Sequence, residues 1–387
     1  MCLRWTHKRP GRKSSAEMGK TMILELKDTN KLPMKTFRWL GVNELNIKQE
    51  IPDIKPVKVS ELTGESLDQL VVTKDNTYSI QKIPQTGMGE NAEEFIRNNR
   101  NRKLTLTCPK GKKLSEPLYI NNLLDKENAA LAEEIFIVAE EGSEIPLVLT
   151  YEGKEEEPLF HGGLFYLMAG RNALINLIQI QLLPDSGVHL SNIGAECKDG
   201  GKVRITQCEL GAGYLASGIQ ADLKGDESEF QVDTIYFGDK NRSLDFNYVV
   251  NHYGRNSKSE MNINGALLDS SRKIFRGTID FKRGAAGAEG AEGEYTLLFD
   301  KTIKNVSVPL ILCGEENVSG KHAANSGKID EDKLFYMMSR GLSETEAKKL
   351  MLEAWFHPAL KNIPTEELKE KVKSYVKERM SHVSSLQ

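Results

Sequence analysis

The sequence predicts a mainly-β chain built around a solenoid of stacked strands, with a mixed region before it and a small helical domain after it. Three observations point there. Short strand-like runs fill the middle of the chain, turn glycines recur among them at a near-constant interval, and almost no helical pattern separates the runs.

The runs lie between residues 131 and 328. Glu134-Ile-Phe-Ile-Val138, Leu147-Val-Leu-Thr-Tyr151, Leu174-Ile-Asn-Leu-Ile-Gln-Ile180, Phe230-Gln-Val-Asp-Thr-Ile-Tyr-Phe237 and Val308-Pro-Leu-Ile-Leu312 are examples. Many alternate apolar with polar residues, as a strand with one buried face does. Gly142, Gly170, Gly200, Gly225 and Gly254 punctuate them at intervals of 28, 30, 25 and 29 residues. Stacked coils of strand produce a repeat of that length, because one coil cannot bury its inner face alone. The lack of intervening helices argues against a βαβ fold. The same spacing of short strands also fits an antiparallel sandwich.

Residues 1–29 read as a disordered extension. They are basic (Arg4, Lys8, Arg9, Arg12, Lys13, Lys20) and lack the apolar stretch of a signal peptide. Residues 30–130 read as a mixed α/β region with a short helix at Gly89–Ile96. Residues 329–387 read as helical. Asp330 is placed to cap a first helix that Gly341 stops, and Ser343 with Glu346 has capping-box spacing for a second, which Pro358 ends. Pro364 opens a third. Short helices at the end of a solenoid are expected to cap it, and a protruding helical unit makes a docking surface.

Composition narrows the function. The 387 residues are 39% hydrophobic and 28% charged with a net charge of −3, which predicts a soluble globular chain. The near balance of charge argues against nucleic acid as a partner. No apolar run approaches the roughly 18–20 residues of a membrane helix. Cys2, Cys108, Cys197, Cys208 and Cys313 are odd in number, widely spaced and free of a CxxC, which fits a reducing, cytoplasmic setting. There is no GxxxxGK[ST], GxSxG or HExxH motif. A polysaccharide-acting β-helix enzyme needs converging acids, and Asp222, Asp233 and Asp245 are scattered.

None of the seven histidines (7, 161, 189, 252, 322, 357 and 382) is paired with another at metal-ligand spacing in sequence. The informative stretch runs from Pro309 to Ala347. It sets Cys313 at a strand end and His322 nine residues later, before the helical domain. Thiolate and imidazole are ligand types that iron and iron–sulfur clusters accept.

This stretch, with Gly327-Lys-Ile-Asp330, Leu334-Phe-Tyr336, Ser339-Arg-Gly-Leu342 and Glu346-Ala347, resembles the carboxy-terminal signature of the SufB/SufD family. Tyr248–His252, Asn264–Arg272, Phe275–Ile279 and the Leu32-Pro33…Phe37-Arg-Trp39 segment extend the likeness over roughly residues 30–380. The resemblance implies a right-handed parallel β-helix and a role as a scaffold in iron–sulfur cluster assembly. It implies pairing with a SufB-type subunit, and docking of a SufC-type ATPase through Phe335, Tyr336, Arg340, Leu342 and Trp355. It implies a transient iron–sulfur cluster or iron at the subunit interface, held by His322 and, as a lesser candidate, Cys313. The family's SufB cysteine would fall near Glu294 and its glutamate at Ala323, so the likeness is closer to SufD. A SufB-like homodimer keeps the same fold and remains an alternative, as does a dimerisation module without metal. The residues do not speak to a flavin.

Overall fold

The structure, a computed structural model, describes residues 20–36, 38–58, 60–74, 83–154, 158–328 and 330–380. It opens with an antiparallel hairpin, β1 (Thr21–Thr29) and β2 (Leu45–Pro52). Two short strands, β3 (Leu62–Thr63) and β4 (Val71–Thr73), and helix α1 (Glu90–Asn99) follow.

Sixteen strands then form eight coils, two strands to a coil. The first four coils are β5 (Arg102–Cys108) with β6 (Leu118–Leu124), β7 (Ala130–Ala139) with β8 (Glu144–Gly153), β9 (Leu159–Ala169) with β10 (Leu174–Leu182), and β11 (Gly187–Cys197) with β12 (Lys202–Glu209). The last four are β13 (Tyr214–Leu223) with β14 (Glu229–Gly238), β15 (Ser243–His252) with β16 (Lys258–Leu267), β17 (Arg272–Phe281) with β18 (Glu289–Leu298), and β19 (Lys304–Cys313) with β20 (Ser319–Lys328). Odd strands build one sheet and even strands the other, and each strand pairs in parallel with the strand one coil away. Parallel ladders decide for the solenoid and against the sandwich. β3 and β4 add antiparallel to β6 and β5 at the first coil.

The parallel ladder begins at Arg102, well before the boundary at residue 131 that the strand runs suggested. The first coil was hidden because its corner, Pro109-Lys-Gly-Lys-Lys113, reads as a charged loop. Residues 20–29 also depart from the expected disordered extension, since most of them form β1. Leu24 and Leu26 alternate along it and are buried with Ile47 and Ile51 against the outer face of the odd sheet. Residues 1–19 lie outside the described residues.

The corners explain the glycine repeat. At one corner of successive coils a residue adopts positive φ: Gly111, Gly142, Asn172, Gly200, Glu227, Asn256 and Gly287, with φ between 52° and 78°. Each donates its backbone N–H to a carbonyl of the next coil, at 2.7–3.0 Å. Only some of these are the glycines that mark the period in sequence. Gly254 serves differently: a Cβ there would sit 1.8 Å from the Gly225 carbonyl oxygen, so glycine permits the close stacking of coils.

Side-chain alternation is clear in β6, β16 and β18 but lost in β9 and β11, where almost every residue is buried. Both faces are covered there. The hairpin and α1 lie on the odd sheet, and the sheet's other face lines the interior.

Three helices close the chain: α2 (Glu331–Ser339), α3 (Glu344–Leu360) and α4 (Glu366–Met380). Asp330 accepts from the Lys333 amide, and Ser343 with Glu346 forms the full capping box. α3 does not stop at Pro358. It runs two residues further, because a proline in a last turn removes a single bond while Phe356, Ala359 and Leu360 are buried there. These helices do not cap the solenoid. α3 and α4 lie along the outside of the even sheet, where Ile178, Ile180, Leu210, Ile235 and Phe237 form an apolar stripe with Leu352, Phe356 and Val376. That stripe outweighs the end of the coil stack as a place to bury their apolar faces.

Candidate functional site

Because the helices dock sideways, the eighth coil is left open. β19 and β20 are the edges of their sheets, and every residue of β20 is exposed. An unpaired strand edge presents a row of unsatisfied backbone groups, so an open edge of this length invites another strand.

His322 stands on this edge. A Cβ on Gly320 would touch Ile311 and Phe281 of the interior, so the even residues of β20 face inward, His322 among them. Its neighbour in register one coil below is Glu292. Gly320 lies opposite Ile311, which sets His322 opposite Pro309. Cys313 is four residues further along β19, about 13 Å at ~3.3 Å per residue. The two sequence-predicted ligands are therefore both exposed on the last coil but are not brought to one point. Cys313 is the exposed cysteine among the described ones. Burial raises the thiols of Cys108, Cys197 and Cys208, which disfavours the thiolate that binds metal.

Beneath His322 lies a charged cluster that the sequence reading missed. Glu292, Glu294 and Lys273 are 4%, 1% and 0% exposed. Lys273 pairs with Glu294 and also donates to the Val306 carbonyl and the Ser307 hydroxyl, each at 3.3 Å. Among the described residues, neither carboxyl oxygen of Glu292 has a hydrogen-bond partner. Burial, then the Glu294 charge, push its pKa up to about 8 against the opposing pull of Lys273. Among the described residues, no three His, Cys, Asp or Glu side chains stand close enough to hold a metal ion. Full coordination at this end thus requires donors from outside the chain.

A second polar seam lies deeper in the interior. Arg102 and Tyr151 hold Glu133, whose carboxylate also meets His161 Nε2 at 3.0 Å. His161 Nδ1 stands 3.0 Å from His189 Nδ1, and His189 Nε2 lies 3.5 Å from Glu209. Burial alone would raise Glu133, but the Arg102 guanidinium and the bonds from His161 and Tyr151 bring it down to about 2. Burial lowers His161 to about 4 despite Glu133 beside it. The signal for this pair was present: His161 and His189 are 28 residues apart, one coil. Asp222, Asp233 and Asp245 do not converge. Each is bound to its own asparagine, Asn251, Asn262 and Asn30.

The helical residues divide. α2 has no buried residue, and Phe335 and Tyr336 are 74% and 57% exposed. Arg340 lies 5.1 Å over the Tyr336 ring, and Leu342 is half-buried. Trp355 sits on α3. It is half-buried and packs edge-on against Tyr295, with ring centroids 6.3 Å apart.

A family model described as "SUF system FeS cluster assembly, SufBD core domain" matches residues 122–355. The iron–sulfur cluster assembly protein SufD of Bacillus subtilis is 24% identical over 279 residues, 71% of this chain and 63% of that protein. A SufBD family iron–sulfur cluster assembly protein of Staphylococcus saprophyticus is 26% identical over 263 residues, 67% of this chain and 56% of that protein. The matches thus span less than two thirds of those relatives' lengths. No helix among the described residues is long and apolar enough to cross a membrane. With the family model covering more than half of its residues, and the parallel solenoid in place, the chain belongs to the SufBD family.

Proposed function

We propose that this chain is a SufD-like scaffold of cytoplasmic iron–sulfur cluster assembly, whose eighth coil pairs with a SufB-type subunit. The observation that supports this reading is the open edge itself: β20 is exposed throughout and carries His322 at its inward face. The partner's strands would continue the two sheets, and His322 would offer an imidazole to iron or a nascent cluster at the seam. The cluster is cargo, completed by donors from the partner and by sulfide. The chain performs no chemistry on it beyond holding and placing it.

Helix α2 supports the second contact. Phe335, Tyr336 and Met338 are apolar yet exposed, on a helix that buries nothing of its own. Exposed aromatics beside an arginine are the usual anchors of a protein interface. A SufC-type ATPase docked there could move the solenoid pair through its nucleotide cycle.

A homodimer through the same edge is the second reading, since the backbone of β20 suits a second copy equally. Hydrogen exchange separates the two. The β20 amides should exchange rapidly in the isolated chain and become protected when a SufB-type subunit is added. Protection in the isolated chain favours the homodimer. Binding of the partner with β20 unchanged would overturn pairing through this end.

A further inference from the structure

We propose that Glu292 is a carboxylate ligand that shares one ferrous ion with His322; this rests on the reading that the last coil receives iron. The two are in-register neighbours on adjacent parallel strands, β18 and β20. In-register residues of a parallel pair point the same way from strands about 4.8 Å apart. Two donors share a first-row ion when each lies near the roughly 2.0–2.2 Å typical of zinc, so their donor atoms stand closer than the strands do. A slight lean of the side chains toward each other supplies that spacing.

The carboxyl is held for this purpose. It is 4% exposed and unpartnered at both oxygens, although burying a carboxyl without a hydrogen bond is costly. The neighbouring ammonium of Lys273 is taken by Glu294, the Val306 carbonyl and Ser307. The space Glu292 occupies exists because position 277 is glycine: a Cβ there would lie 2.4 Å from Glu292 Cδ and Oε2. Among the described residues no strand stacks above His322, so an ion reaching the open coil meets imidazole first and carboxylate next. Imidazole and carboxylate together suit iron(II).

Anaerobic titration of the full chain with ferrous iron tests this, in wild type, Glu292→Gln, His322→Ala and the double variant. Each single substitution should weaken binding about tenfold or more, at least what loss of an outer-shell partner costs. In the His322→Ala background, Glu292→Gln should cost less than about twofold, as expected when two residues serve one ion. Gly277→Ala leaves Glu292 chemically intact but displaces its carboxyl, and should weaken binding as Glu292→Gln does. Ferrous binding by Glu292→Gln within about twofold of wild type overturns the proposal. If His322→Ala alone weakens binding, Glu292 is excluded while the His322 reading stands. If wild type binds no ferrous iron, or neither substitution matters, the shared site falls, and the iron content of the partnered complex decides the His322 reading separately.

Discussion

Glu292 lies directly below His322 in the last parallel ladder, and its buried carboxyl meets no hydrogen-bond donor among the described residues. One residue along the same face, Glu294 is bound to Lys273, so two carboxylates share a single ammonium. The interior beneath the open coil therefore takes up one more positive charge, either a proton or an ion.

This arrangement sets a pH dependence of stability. With its pKa pushed up to about 8, folded Glu292 holds a proton that the unfolded chain releases near 4.5. Stability is full below that lower value and falls as pH rises through the upper one. His161 and His252 act in the opposite sense, since burial lowers both to about 4 from 6.5. Their effect ends above about pH 6.5, where the unfolded imidazoles are already neutral. From about pH 6.5 to about pH 8, stability should thus fall by about 2 kcal/mol, given ~1.4 kcal/mol per unit for one proton. Urea denaturation across this range should show the slope in wild type and its loss in Glu292→Gln. The same slope in both would contradict the assignment.

The coil corners make a paired prediction with opposite signs. Gly254→Ala drives a Cβ into the Gly225 carbonyl and should cost about 3 kcal/mol or more. Glu227 is exposed and held at a φ of 58°, which costs a non-glycine residue about 1–2 kcal/mol. Glu227→Gly should therefore stabilise by about 0.5 kcal/mol after the ~0.5–1 kcal/mol that glycine loses in the unfolded state. Denaturant midpoints of the two variants check both.

Phe335→Ser combined with Tyr336→Ser tests the helical docking surface. α2 buries nothing, so folding stability should change by less than about 0.5 kcal/mol. Copurification of a SufC-type ATPase should be lost. The same pair of substitutions with the ATPase retained would place its docking elsewhere.

Much of this was legible in the sequence. The glycine interval revealed the coils because close stacking excludes a Cβ at positions such as Gly254. The stretch from Cys313 to Ala347 identified the family, and it contains both the open edge and α2. What escaped notice depends on which residues share a coil position. Glu292 is 30 residues before His322, and His161 is 28 before His189, so each pair is separated by one coil and by nothing shorter. The sideways docking of α3 also escaped. The stripe that receives it is assembled from one or two outward residues on each of several strands, and no single strand displays it. Cys313 looked like a companion to His322 by its nine-residue spacing, but the turn between β19 and β20 sends the two strands along opposite walls.

The most direct test is the iron and sulfide content of the complex purified anaerobically with its native partners, wild type against His322→Ala. If the open coil places an imidazole on the cargo, the variant complex should assemble intact. It should hold about tenfold less iron and sulfide or lower still, in line with the loss of a metal ligand. An intact variant complex with the iron and sulfide of wild type would contradict the role given to His322.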